Sequence, residues 1–381
     1  MQEGLILDNN ILSYIEWRGD LSFSKSGFNE VDNLILSILA YFDFEDLIPT
    51  PENGEISLQE VARKYFGHRK LPVEPEKVGN NEKTLQWLLY AMSTSRRYKR
   101  MKLSAVVDVL DRENATQFYA VCIHINKNNA YLSFRGTDDN LAGWKEDFLL
   151  ACIPEIPSQR EALRYLERIA ELYPLKRLML GGHSKGGNLA VYAAANATEA
   201  IQSRIIDVWS NDGPGFQETM LNSEGYQRIS SRIHHIVPKS SIVGMLLAHD
   251  ENYKIVDSFQ VGLLQHDGFS WSVSGNHFIE IDALTGESIK ADHTIRNWLQ
   301  ALSQDERERF VDCFFDVLYA SGATTLSEVR KDKLKALMTS LPHAREIPKD
   351  VREKIIEFLL MLRQIIRRLD IESKLEKMRI H

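Results

Sequence analysis

Cysteine is scarce in this chain, which has three cysteines in 381 residues. Cys122, Cys152 and Cys313 are odd in number, far apart and without metal-ligand spacing, so they exclude a disulfide framework and indicate reduced thiols of a cytosolic protein. No apolar run approaches about 18 residues, the length that predicts a membrane-spanning helix. The opening residues MQEGLILDNN do not resemble an export signal. We therefore expect a cytoplasmic protein.

Several other signals are missing as well. The net charge of −7 argues against nucleic acid as a partner, which normally needs a basic face. The chain has no HExxH zinc motif, no G-x-x-x-x-G-K-[ST] phosphate loop and no G-x-G-x-x-G dinucleotide fingerprint. His234 and His235 are adjacent in a predicted strand, where neighbouring side chains point to opposite faces and cannot readily share an ion. We expect neither a metal nor a cofactor.

Three regions of different pattern follow one another. Residues 1–100 read mostly as helices, and in SLQEVARKYF the spacing of Ser57 and Glu60 is that of a capping box. Residues 101–300 alternate β-rich and helical runs, which favours an α/β fold with a mostly parallel sheet. Within this region Leu178 to Leu180 lacks polar alternation, as expected of a central strand covered on both faces. Residues 301–381 become helical again.

The last helical segment, DVREKIIEFLLMLRQIIRRL, carries a broad apolar stripe. Its members are Val351, Ile355, Ile356, Leu359, Leu360, Ile365 and Ile366. A stripe this wide usually packs on a protein core. Three arginines lie alongside it, Arg363, Arg367 and Arg368, so peripheral contact with a membrane surface is the alternative.

Residues 182–186 read Gly-His-Ser-Lys-Gly and match the pattern G-x-S-x-G. This pattern is typical of a nucleophilic serine on a sharp strand-to-helix turn, where side chains two residues either side would collide. An apolar strand precedes the motif and a helix of small residues follows it, which is the required context. We predict that Ser184 is a nucleophile, with the positive end of the following helix beside it.

The stretch LSFRGTDDNLAGWKEDF (132–148) followed by GGHSKGGNLAVYAA resembles the class 3 lipases, a branch of the α/β hydrolases. The resemblance covers roughly residues 118–270 and implies an α/β-hydrolase fold. It also implies an oxyanion hole formed by Thr137 and the backbone N–H of Lys185, because such a hole needs one donor after the nucleophile and one from an earlier loop. We expect Arg135 and Asp147 to form an ion pair that holds this loop.

Further stretches resemble a bacterial hydrolase-like family, the Mbeg-like proteins, which brings no established substrate. They are WRGDLSF (17–23), FNEVDNLIL (28–36), NDGPGF (211–216), SIVGMLL (241–247) and QHDGFSW (265–271). Together they extend the resemblance over most of the chain.

A serine nucleophile needs a histidine base, and six histidines lie between Ser184 and residue 300. They are His234, His235, His249, His266, His277 and His293. We predict His266, because it lies in a turn late in the region that resembles the lipases, where that family places its base. His249 and His277 are the alternatives.

The acid departs from the lipase pattern. Class 3 lipases carry an aspartate just before a Val-Pro pair. This chain reads His-His-Ile-Val-Pro over residues 234–238, so a histidine occupies that place. We predict Asp212 instead, since it also follows a strand beyond the nucleophile, although an aspartate before Gly-Pro also suits a plain turn. Asp250 and Asp257 are weaker alternatives. A Ser–His pair positioned by Ser241 would need no acid.

These residues predict a serine hydrolase that acts on a lipid or other acyl ester. Ser184, His266 and Asp212 would form the catalytic triad, and the helical regions 1–100 and 301–381 would pack around the core of 101–300. Because the lipase aspartate is missing, a catalytically silent hydrolase fold that serves as a binding or scaffold protein is the alternative. A thioesterase or a peptidase is a further one.

Overall fold

An eight-stranded mixed sheet lies at the centre of a computed structural model, which describes residues 9–44, 46–67, 69–75, 79–150, 152–245, 247, 253–320, 324–325 and 348–380. The strands are β1 (Ile56–Ser57), β2 (Lys102–Asp111), β3 (Thr116–His124), β4 (Asn129–Phe134), β5 (Arg177–His183), β6 (Ile205–Asn211), β7 (Ile233–Pro238) and β8 (Tyr253–Val256). A separate hairpin consists of β9 (Val273–Ser274) and β10 (His277–Phe278).

The helices fall before, within and after the stretch of chain that runs from β2 to β8. Before it lie α1 (Ile11–Arg18), α2 (Glu30–Leu39), α3 (Leu58–Phe66) and α4 (Glu82–Thr94). Within it lie α5 (Leu141–Leu149), α6 (Pro157–Leu172), α7 (Lys185–Asn196), α8 (Glu199–Gln202), α9 (Glu218–Leu221) and α10 (Glu224–Ile229). After it lie α11 (Gly286–Gln300), α12 (Gln304–Ala320) and α13 (Lys349–Ile380).

The strands lie side by side in chain order from β1 to β8. The pairs from β1 to β4 are antiparallel and those from β4 to β8 are parallel. Parallel strands end at the same edge of a sheet, so the loops after β4, β5, β6 and β7 meet there. The predicted α/β architecture is correct, with one addition: the mostly helical N-terminal region supplies the edge strand β1.

Helices α1 to α4 cover one face of the sheet. The buried side chains of α2, among them Leu34 and Ile38, belong to one apolar cluster with Tyr131 of β4 and Met179 of β5. The predicted capping box of α3 is present, since the Ser57 hydroxyl accepts from the N–H of Glu60 and the Glu60 carboxylate accepts from the N–H of Ser57.

Helices α6, α7 and α10 cover the opposite face. A second apolar cluster lies on that face, where Leu178 and Leu180 of β5 pack with Ala190 and Ala193 of α7. Met179, between the two leucines, packs with the N-terminal helices on the other face. The predicted burial of this strand on both faces is therefore confirmed. The small residues of α7 allow its backbone to lie close to β5 and β6.

The C-terminal helices form a third apolar cluster with α5. Val351, Ile355 and Phe358 of α13 pack there with Phe310 of α12 and Leu141 of α5. The buried face differs from the predicted stripe at two positions. Phe358, which the stripe left out, is buried, and Leu360, which it included, is 45% exposed. No helix within the described ranges is long and apolar enough to cross a membrane.

A buried ion pair ties the N-terminal layer together. The Arg97 guanidinium lies 2.5 Å from the Asp32 carboxylate, and both side chains are fully buried. Asp32 also accepts from the Tyr98 hydroxyl at 2.6 Å, and Arg97 donates to backbone carbonyls that include those of Ser26 and Gly27. The pair is thus satisfied on both sides, as burial of a charge requires.

We expect Asp32→Ala to lower the free energy of unfolding by about 3–5 kcal/mol, because it leaves the Arg97 charge buried without a partner. Urea denaturation measures this difference. Arg164→Ala, which removes a 69% exposed guanidinium paired with Glu161, is the control and should cost about 0–1 kcal/mol. A loss of equal size in both variants would contradict the role of the buried pair.

Candidate active site

Ser184 lies on the turn between β5 and α7 and is the N-cap residue of that helix. Its backbone has φ 58° and ψ −133°, a region that side-chain-bearing residues seldom adopt. Such a conformation costs about 1–3 kcal/mol and persists only where the surrounding structure imposes it. Ser184 therefore sits on the strained strand–turn–helix that its motif predicts.

The glycines of the motif are required by close backbone packing. A Cβ added at Gly182 would lie 2.5 Å from the carbonyl oxygen of Phe134, and one at Gly186 would overlap that same carbonyl group. Both positions thus have no room for a side chain, because the end of β4 passes directly against the turn. The predicted collision is confirmed.

Lys185, the residue after the nucleophile candidate, carries a fully buried ammonium group. It donates to a Glu146 carboxylate oxygen at 2.8 Å and to the Gln117 carbonyl at 3.0 Å. Glu146, on α5, is itself buried and also accepts from the backbone N–H and hydroxyl of Ser158. This ion pair joins the turn to α5 and α6. Sequence reasoning missed it, although a lysine inside a glycine-rich buried turn signals a buried acidic partner.

The structure brings His266 and Asp212 together. The His266 Nδ1 atom lies 2.6 Å from Asp212 Oδ2. The second oxygen of the Asp212 carboxylate accepts from the Ser241 hydroxyl at 2.5 Å and from the Gly244 N–H at 3.1 Å. Asp212 is 1% exposed. A buried carboxylate with these donors is held in one orientation and can fix the imidazole beside it.

Asp212 reaches this position from the end of β6, one strand away from the lipase aspartate. Its backbone N–H donates to the Ile236 carbonyl at 2.8 Å, so it lies against the end of β7 where that aspartate would follow. Asp212 also has φ 50°, which shows that it forms the turn as well. Asp212 therefore both forms the turn before Gly-Pro and bonds to the His266 imidazole.

The alternatives to this pair lie elsewhere. His277 is exposed on β10, and Asp257 pairs with Lys239 and accepts from Ser272. Ser241 contacts the carboxylate of Asp212, whereas the Ser–His alternative would place it on the histidine. His249 and Asp250 lie outside the described residues.

His266 also lies next to the serine turn. Its ring centroid is 4.6 Å from that of His183, the residue before Ser184. Within the described part of the chain, neither the Ser184 hydroxyl nor the Nε2 atom of His266 forms a hydrogen bond. Contacts between a nucleophile and its base are often loose in unliganded hydrolases and tighten when substrate binds.

The loop after β4 reaches Ser184 from the other side. A Cβ added at Gly136 would lie 3.1 Å from the Cβ of Ser184 and 2.5 Å from the His183 carbonyl oxygen. Next to this glycine, the Oγ1 atom of Thr137 is buried and its hydroxyl lies beside the Asp147 carboxyl. The Thr137 hydroxyl and the N–H of Lys185 thus belong to segments that flank Ser184.

The expected Arg135–Asp147 ion pair is wrong. Among the described residues Arg135 pairs with Asp108 at 3.7 Å and with Asp138 at 4.0 Å, and its guanidinium stacks 4.1 Å from the Tyr119 ring centre. Asp147 is half-buried with its Oδ1 atom out of solvent, and burial raises the pKa of its carboxyl to about 6 against the opposing effects of the Lys185 charge and the Thr137 hydroxyl. The guanidinium turns to the carboxylates nearer solvent, since charges there keep their hydration.

The adjacent histidines of β7 have different surroundings. The His234 ring stacks on Trp209 at 4.0 Å and lies 2.8 Å from an Asp207 oxygen, while His235 is buried and its pKa is lowered to about 4 by burial. Over the described ranges, no group of three histidine, cysteine or acidic side chains is arranged to hold a metal ion.

The strained serine turn at the carboxyl edge of the parallel strands, with helices on both faces of the sheet, defines an α/β-hydrolase fold. Residues 92–316, more than half of the chain, match the Mbeg1-like family. The protein belongs to that family, and the resemblance drawn from its motifs is confirmed. No curated protein matches the chain.

Solved lipase structures are similar to it at low identity. A fungal lipase in complex with an inhibitor is 14% identical, covers 47% of this chain and 71% of its own, and has a TM-score of 0.34. The Rhizomucor miehei lipase–propeptide complex is 18% identical, with 42% and 58% covered and a TM-score of 0.32. The Lip2 lipase from Yarrowia lipolytica is 13% identical, with 62% and 81% covered and a TM-score of 0.33.

The raised pKa of Asp147 predicts a pH-dependent stability. The folded state holds the proton more tightly than the unfolded chain, whose aspartates have a pKa near 3.8. This stabilisation is present at low pH and is lost as the pH rises through about 6. The side chain of Asp147→Asn stays neutral. The free energy of unfolding of this variant, relative to the wild type, should therefore rise by about 3 kcal/mol between pH 4 and pH 7.

Urea denaturation of both proteins over that pH range measures the difference. Asp20→Asn, at an exposed position, corrects for the removal of one surface carboxylate. A difference between wild type and Asp147→Asn that does not change with pH would contradict the inferred burial of the charge.

Proposed function

We propose that this protein is a serine hydrolase that cleaves an acyl ester. Ser184 is the nucleophile, His266 the general base and Asp212 the acid that orients the imidazole. The observation that carries this proposal is the 2.6 Å hydrogen bond between His266 and Asp212, formed beside a serine with φ 58°. Strained serine turns and oriented histidines occur together in enzymes of this chemistry.

In the proposed reaction, Ser184 Oγ attacks the carbonyl carbon of the ester while His266 Nε2 takes its proton. The protonated imidazole then gives that proton to the departing alkoxide, which leaves as the alcohol and forms an acyl-serine. Water attacks the acyl-serine with the same base, releases the carboxylic acid and restores the serine. Asp212 accepts from Nδ1–H throughout and stabilises the imidazolium, while Ser241 and Gly244 hold its other oxygen.

The negative charge on the carbonyl oxygen needs donors that are already in place. We assign this role to the Lys185 backbone N–H and to Thr137, whose side-chain oxygen is buried on the loop that flanks Ser184. The buried Lys185–Glu146 pair supports the assignment because it anchors the residue whose N–H would donate. Preorganised donors of this kind contribute about 3–4 kcal/mol each to the lowering of the barrier.

A cleft of about 420 Å³ lies near the turn that follows Asp212, and Ser184, His266 and Thr137 are not among the residues that line it. Its apolar walls are Leu150, Ile153, Pro154, Phe216, Met220 and Leu247. Its polar walls include Glu155, Tyr192, Asn196 and Gln217. The acyl ester is therefore proposed from the site residues and not from this cleft. Thioesters and peptides carry the same reacting carbonyl and are the alternative substrates.

The alternative of a silent binding protein makes a different prediction for Ser184. We expect a fluorophosphonate probe to label purified protein at Ser184, and Ser184→Ala to abolish that labelling, because only an activated serine reacts with it. Peptide mass spectrometry locates the adduct. Folded wild-type protein that takes up no probe would favour the silent binding protein.

The role of Asp212 is tested by Asp212→Asn. An amide in place of the carboxylate cannot stabilise the imidazolium, so kcat for an ester substrate should fall about 10³–10⁴-fold. Asp257→Asn is the matched control, since it changes the rival aspartate, and His277→Gln does the same for the rival histidine. Comparable losses in the controls would show that the acid and the base were wrongly assigned.

A further inference from the structure

His183 lies between the serine turn and the main chain of His266. Its Nε2 atom is 2.6 Å from the His266 backbone carbonyl oxygen, and its Nδ1 atom is 3.1 Å from the Tyr41 hydroxyl. The side chain is almost completely buried, with 3% exposed. One imidazole thus joins the segment that follows α2, the end of β5 and the turn that holds the proposed base.

These distances define the protonation of His183. A carbonyl oxygen can only accept, so Nε2 carries the proton and donates to His266. Nδ1 is then the acceptor, and the Tyr41 hydroxyl donates to it. Burial, together with the neighbouring His266, lowers the pKa of His183 to about 3, and burial raises the pKa of Tyr41 above its ordinary value. Both groups therefore keep these forms at neutral pH.

The His266 residue is held at two points as a result. Asp212 holds the side chain at Nδ1, and His183 holds the backbone at the carbonyl oxygen. The neighbouring main chain is held as well, because Trp271 donates its indole N–H to the Gln265 carbonyl at 2.9 Å. With Nδ1 and the backbone held, the remaining ring nitrogen, Nε2, is free to meet the Ser184 hydroxyl.

We propose that His183, itself oriented by Tyr41, is a positioning residue that fixes the main chain of His266 so that its imidazole is presented to Ser184. The proposal rests on the proposed function of Ser184 and His266. It extends the site into the N-terminal layer, since Tyr41 lies before the matched residues 92–316. A small shift of the base costs up to about 100-fold in rate, so such a contact has a measurable effect.

Three variants separate the two hydrogen bonds. Tyr41→Phe removes only the hydroxyl, His183→Phe keeps a ring but removes both nitrogens, and His183→Gln restores an N–H donor. We measure the rate of fluorophosphonate labelling at Ser184, and kcat and KM for a p-nitrophenyl ester. The matched controls are Tyr90→Phe, whose ring packs on Phe66 and Trp87, and His234→Gln, on β7.

We expect labelling and kcat to fall about 100-fold in His183→Phe and about tenfold in Tyr41→Phe, with KM nearly unchanged. His183→Gln should recover part of the loss, and the controls should match the wild type. Labelling at the wild-type rate in folded His183→Phe would overturn the proposal. Should that variant fail to fold, Tyr41→Phe decides the question, and a wild-type rate there overturns it.

A spectroscopic measurement is independent of activity. The proton shared by His266 Nδ1 and Asp212 should give a low-field proton resonance, assigned by its loss in Asp212→Asn. The resonance should broaden or shift in Tyr41→Phe and His183→Gln but not in His234→Gln. Wild-type protein that takes up no probe defeats the proposed function, whereas an unchanged resonance in both variants defeats the positioning role alone.

Discussion

The close approach of three backbone segments at Ser184 is the constraint on which the site depends. The end of β4 passes so near the turn between β5 and α7 that neither Gly182 nor Gly186 has room for a Cβ. This contact forces the serine into a left-handed conformation and brings the loop with Gly136 and Thr137 beside it. The glycines thus act through packing, since neither adopts a positive φ.

Buried polar contacts then lock the turn to its surroundings. The Lys185–Glu146 pair ties α7 to α5, and Asn211 of β6 donates to the Gly182 carbonyl at 3.0 Å while it bonds to Asn33 of α2. Each of these groups would be costly to bury alone, so each specifies one arrangement of its neighbours. The strain at Ser184 is maintained by contacts from three layers of the protein.

The N-terminal layer belongs to the site as much as the matched region does. Helix α2 packs on the strands that carry the turn, and Tyr41 lies two residues after its end. On the other side, α13 contacts the 3₁₀ turn Gly262–His266, and its Ile365 packs on Ile242, next to Ser241. Helices from both ends of the chain thus hold the loops that carry His266 and the donors to Asp212.

Local pattern by itself determined the class of fold and the place of the serine. The motif at 182–186, the apolar strand before it and the small residues after it lie within about twenty residues, and their physical demands can be read from neighbours in the chain. The capping box of α3 was predictable for the same reason. The Arg135–Asp147 pair was not, because sequence spacing says nothing of which carboxylate is buried.

Only the tertiary structure decided which side chains meet. His266 and Asp212 are 54 residues apart, and several histidines downstream of the serine were compatible with the pattern. The register of parallel strands sets Asp212, at the end of β6, against the end of β7. The Tyr41–His183 contact spans 142 residues and has no local signal. Contacts at such separations arise from the packing of layers, and no short stretch of sequence contains that information.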